Sequence, residues 1–130
     1  MNPYNFPNVI PAGTVLNSSF VSQPMQVYNA IAFSIQVFFT GTPTGSFYLL
    51  ASDDPVYSGK APYNARSGAP GTPVNFTTIA GSQFIVAAAG NCMWDYDWPG
   101  FTWVQIGYTD TSGGTSTATV TSSTINVKGM

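Results

Sequence analysis

Every second residue from Ile31 to Phe39 is large and apolar: Ile31, Phe33, Ile35, Val37 and Phe39, with Ala32, Ser34 and Gln36 between them. A period of two puts such a row on one face of a β-strand. Thr40-Gly-Thr-Pro-Thr-Gly45 follows, with two glycines that tolerate positive φ around a proline that fixes it. Phe47, Leu49 and Ala51 then resume the alternation. The pattern predicts a strand over 27–40, broken near Asn29-Ala30, and a second over 46–52 returning antiparallel to it as a β-hairpin.

Further strands are expected over 14–21, 74–79, 83–89, 92–96, 101–109 and 115–127. In the fourth of these, Trp94 and Tyr96 share a face. In the fifth, Val104, Ile106 and Tyr108 alternate with Trp103, Gln105 and Gly107. In the last, Ala118, Val120, Ile125 and Val127 face inward, and the threonines at 115, 117, 119 and 121 form a solvated face. Prolines at 3, 7, 11 and 24 predict an extended N-terminal arm over 1–24 that carries an edge strand. Residues 25–130 form the remaining domain. No stretch has helical periodicity, so the chain reads as all-β: a single antiparallel β-sandwich, jelly-roll-like, with that arm. Between 53 and 73, turn and breaker residues are dense enough to predict a long loop, and Lys60, Arg66, Tyr57 and Tyr63 all fall in it.

Composition narrows what such a domain does. At 130 residues, 44% hydrophobic and 15% aromatic, one domain with a packed core is expected. Only 6% of residues are charged, against about 25% in ordinary proteins. The surface is therefore built of Ser, Thr, Asn, Gln and Gly, and a net charge of −2 gives little repulsion between copies. Three cations, Lys60, Arg66 and Lys128, are too few to neutralise a phosphate backbone or make a polybasic membrane patch. Neither nucleic acid nor membrane is an expected partner. Met1-Asn2-Pro3-Tyr4 lacks the basic and apolar regions of a secretory signal, so none is expected.

The chemical inventory points away from catalysis. The chain has no His and no Glu, which removes Ser-His-Asp and Cys-His arrangements. Cys92 is the one cysteine, so it forms no intrachain disulfide, and beside Met93 and Trp94 it reads as a small buried hydrophobe. Zinc lacks ligands, and no cofactor motif is present. Asp53-Asp54 and Asp95-x-Asp97 are the paired carboxylates; both read as turn formers, since calcium needs more oxygens than either pair supplies. The rings of Trp94, Tyr96, Trp98, Phe101 and Trp103 suit a sandwich core, or, where exposed, a sugar-stacking surface on Trp98 and Trp103. An enzyme is not expected.

Several segments together resemble a family. Phe39-Thr-Gly-Thr-Pro-Thr-Gly-Ser-Phe-Tyr-Leu-Leu-Ala-Ser-Asp-Asp54, Ala89-Gly-Asn-Cys-Met-Trp-Asp-Tyr-Asp97, residues 101–109, Ser112-Gly-Gly and Asn126-Val-Lys-Gly-Met130 are similar to small β-sandwich virion structural proteins of tailed bacteriophages and prophages, of head decoration or cement type. The resemblance spans residues 34–130. It departs at Phe39, where the family often has tryptophan, and over 55–73, where its turn is shorter. It implies a capsid decoration protein on the capsid exterior. Its implied partners are the major capsid protein and copies of itself, with a trimer as the expected homo-oligomer. Tyr4 and Phe6 in the arm and Tyr57, Lys60, Tyr63 and Arg66 in the loop are the expected subunit contacts. The rival expectations are a tail or fibre component and a carbohydrate-binding module.

Overall fold

The structure, a computed structural model, describes residues 4–28, 30–54, 63–64, 69–70, 75–86 and 90–129. Its strands in chain order are β1 (Tyr4–Pro7), β2 (Phe20–Val21), β3 (Met25–Gln26), β4 (Ala30–Thr40), β5 (Gly45–Ser52), β6 (Tyr63–Asn64), β7 (Ala69–Pro70), β8 (Thr77–Thr78), β9 (Phe84–Val86), β10 (Gly90–Asp97), β11 (Trp103–Asp110) and β12 (Thr119–Gly129). One sheet has the order β1-β12-β4-β10. In the other, β11 and β5 lie side by side; β2 and β3 both pair with the outer side of β11, and β8 and β9 with the outer side of β5. The short β6 and β7 pair with each other. Every pairing between these strands is antiparallel.

Counting β2 with β3 and β8 with β9 as single positions gives two four-position sheets. The chain alternates between them at every step except from β5 to β8. That order is a double-sheet jelly roll. It also corrects the expected hairpin, because β4 and β5 lie in different sheets and residues 41–44 arch across one end of the sandwich. The physical reason is that alternation reports only which side of a strand is apolar. Two apolar rows can face one core from opposite sheets as well as from one. Phe39 and Phe47 meet in this way across the core, ring centres 5.9 Å apart.

Two glycines make the arch possible for different reasons. Gly41 has φ of +91°, which a side chain resists. Gly45 needs room: a Cβ there would lie 2.2 Å from the Thr109 carbonyl oxygen and 2.6 Å from the Tyr108 hydroxyl.

The alternating rows are buried as expected. Phe33, Ile35, Val37 and Phe39 from β4 face Phe47 and Leu49 from β5 and Val104, Ile106 and Tyr108 from β11. Cys92 and Trp94 join them, with Tyr96 partly buried on the same side. In the last strand the inward parity changes, from Ala118 and Val120 to Ser123, Ile125 and Val127. A register shift between Val120 and Ser122 inserts one extra residue, and this bulge lets both sets face the core.

The N-terminal segment also differs from expectation. A strand over 14–21 is reduced to β2 and an isolated bridge from Val15 to Thr119, while β1 forms earlier, along the outer side of β12. Pro11 and Gly13 interrupt any ladder. Even so, the backbone bonds from Gly13 N to Val120 O and from Leu16 N to Ala118 O hold this stretch against β12. Val9, Ile10 and Leu16 lie in the core of the same chain.

Candidate functional site

Of the six expected contact residues, the structure describes the side chain of Phe6 alone. Its backbone pairs with Ile125, and the side chain, 41% exposed, lines a cleft of about 200 Å³ with Gln23, Pro24, Met25 and Gln26 at the open flank of the sandwich. Tyr4 is placed by its backbone opposite Val127, and Tyr63 opposite Pro70. Tyr57, Lys60 and Arg66 lie outside the described residues.

The outer face of the first sheet was not anticipated as a contact surface. Registers across its four strands set side chains into rows. Asn5, Asn126, Ser34 and Asp95 form one row, and Pro7, Thr124, Gln36 and Met93 the next. Beyond these stand Ser122, Phe38 and Asn91, and at the other end Lys128, Ala32 and Asp97. Asn5 Nδ2 donates to Asn126 Oδ1, and Gln36 Nε2 donates to Asn91 Oδ1 at 3.2 Å. A shallow hollow of about 480 Å³ runs along the first row. Two large apolar groups interrupt this polar field, Phe38 at 41% and Met93 at 48% exposure. The sequence marks both as outward by parity, but only the pairing of β4 with β10 makes them neighbours.

The face carries amides, hydroxyls, carboxylates and one ammonium, which suits it to hydrogen bonding with another surface. Among the described residues, no three His, Cys, Asp or Glu side chains gather to hold a metal ion. Asp95 lies within β10 and not in a turn, whereas Asp97 ends that strand. Asp54 is fully buried; its N–H donates to Ser52 Oγ, and its carbonyl accepts from Trp103 Nε1 at 3.2 Å. Burial pushes the Cys92 thiol up to about 12, in keeping with a packing role.

The two tryptophans of the sugar-stacking expectation part company. Trp98, 68% exposed with φ of +51°, stands at the turn after β10. Trp103 is buried and tied to Asp54, so it offers no open ring to a sugar. Trp94 is buried as well, its Nε1 donating to the Ser82 carbonyl at 2.7 Å and its ring edge-on to Phe84.

These strands and faces define a jelly-roll β-sandwich with a sparsely charged, hydrogen-bonding outer sheet. Among solved structures, the SPBc2 prophage-derived protein YomS is similar at 16% identity and a TM-score of 0.53, over 98% of this chain and 96% of that one. The coat protein of Tobacco streak virus is similar at 10% identity and a TM-score of 0.47, over 98% and 86% of the two chains. A Bacillus endospore appendage protein is similar at 12% identity and a TM-score of 0.45, over 99% and 90%. The first likeness establishes a shared fold over nearly the whole of both chains. No protein-family model and no curated protein sequence matches the chain.

Proposed function

We propose that the chain is a structural protein of a phage particle, most specifically a capsid decoration or cement protein on the head exterior. The observation that carries this reading is the jelly-roll fold held in common, end to end, with a prophage-derived protein. The fold alone hosts many functions. The neutral polar surface and the absence of His and Glu add weight on the side of association. The mechanism is then purely associative: many copies bury polar and aromatic surface against the capsid lattice and against one another, with little charge repulsion between neighbours. The arm residues Tyr4 and Phe6 and the loop residues Tyr57, Lys60, Tyr63 and Arg66 remain the proposed subunit contacts.

Mass spectrometry of purified particles, with immunogold electron microscopy against this chain, tests the reading. Label over the head supports it. Label confined to the tail or fibres moves the protein to another part of the virion, and absence from particles overturns the reading.

A further inference from the structure

Edges of β-sheets are where one chain pairs with another, and proteins usually blunt them with short strands, proline, lysine or bulges. Among the described residues, the two large sheets have four edges, and three of them are blunted. β1 has four residues and ends in Pro7; β2 and β3 are two residues each, with Pro24 between them; β8 and β9 have two and three. The fourth edge, β10, has eight residues, Gly90 to Asp97, without proline, lysine or bulge.

The backbone of β10 is set for a partner. Trp98 N–H donates to the Ile31 carbonyl, one step beyond the β10–β4 register. Bonds to one neighbour alternate along an antiparallel ladder, so Cys92, Trp94 and Tyr96 bond toward β4. Asn91, Met93 and Asp95 then turn their N–H and C=O groups to the free side, where no described strand pairs with them. Their side chains are exposed on the outer face.

We infer that β10 pairs antiparallel with β10 of a second copy, about a two-fold axis at Met93. Parity requires odd residues to face odd residues, and with Met93 opposite Met93 of the second copy, Asn91 faces Asp95. The pairing is self-complementary in hydrogen bonding and keeps like charges apart, because each carboxylate at 95 meets a carboxamide donor, twice by symmetry. A parallel pairing in register would set Asp95 and Asp97 each against its own kind. The two exposed methionines meet at the axis, and the outer faces of both copies join into one eight-stranded sheet. A two-fold edge contact closes at two copies and replaces the expected trimer as the basic unit. The inference rests on the edge itself and not on the virion reading.

Sedimentation velocity over a concentration series, on the full chain, tests it. Wild type is expected to form dimers. Met93→Pro is expected to be a monomer with an unchanged far-UV spectrum, since the lost N–H is on the free side and the β4 ladder stays whole. Met93→Lys, which keeps the N–H but adds like charge at the axis, is expected to be a monomer too and serves if the proline variant does not fold. Met93→Cys in a Cys92→Ala background is expected to cross-link under mild oxidation, because facing Cα atoms of about 5.5 Å suit a disulfide. A monomeric wild type, a trimer, or dimers that persist in both Met93 variants without cross-linking overturns the inference. Particle composition can fail independently of it.

Discussion

Tyr108 sits against Phe47 and Phe20, ring centres 4.8 and 5.7 Å away, and its buried hydroxyl has no hydrogen-bond partner among the described residues. A buried hydroxyl without a partner is a cost. Tyr108→Phe is therefore expected to leave stability unchanged or raise it by up to about 1 kcal/mol in urea unfolding. Gly45→Ala, beside the same hydroxyl, is expected to lower it by about 1–3 kcal/mol, because the facing Thr109 carbonyl cannot yield. The inward side of Tyr108 was legible in the alternation of β11, whereas the crowding at Gly45 arises from a strand distant in sequence and leaves no local mark.

Cys92 adds a dependence on alkali. Below pH 9 its thiol is protonated in both the folded and unfolded chain, and its full contribution to stability is present. Above that, the unfolded chain loses the proton first, so stability falls as pH rises toward about 12. Burial and the nearby Asp110 raise Tyr108 in the same direction. Urea midpoints at about pH 8 and about pH 11 are expected to differ more in wild type than in Cys92→Ala. Equal differences would remove the thiol from the account. Asp110 moves the opposite way, its carboxyl lowered by hydrogen bonds from the Ser112 hydroxyl and backbone and from Gly114 N–H.

At the scale of elements, β12 ties the N-terminal segment to the first sheet. It pairs with β4 on one side and β1 on the other, and its buried Ser123 hydroxyl both accepts from Ile10 N–H and donates to the Ile10 carbonyl, at 2.7 and 2.9 Å. Ser123→Ala strands both backbone groups and is expected to cost about 1–3 kcal/mol in urea unfolding. Amide exchange at Ile10 is expected to quicken with it; protection retained there would show that the hydroxyl is dispensable. Most strands were legible from period two, as in β4 and β11. Their partners were not, since alternation is the same for a hairpin and an arch. Parity gave one long-range clue: inward residues at even and then odd positions of β12 require an inserted residue, and the bulge supplies it.

For the whole molecule, sparse charge is the governing property. With 6% of residues charged, folding depends on burial and hydrogen bonds, and the unfolding midpoint is expected to move little between about 0.05 and about 0.5 M NaCl. A strong salt response would mean that the few ions are concentrated in an energetic network. The jelly-roll order also joins segments remote in sequence, such as Tyr4 with Val127, so folding is expected to be slow for a domain of this size. The candidate surface was half legible for a related reason: composition described its chemistry, but its rows exist only once four separated segments are aligned.

Tyr4 and Val127 stand opposite each other on the two strands farthest from β10. Dyes or cargo attached near either end therefore leave from one corner, clear of the edge that meets a second copy. In a joined pair those corners lie at the two extremes of one continuous sheet. At about 4.8 Å per strand, β1 of one copy is about 34 Å from β1 of the other. The fold then serves as a molecular ruler, with a length that energy transfer between end-attached dyes can read.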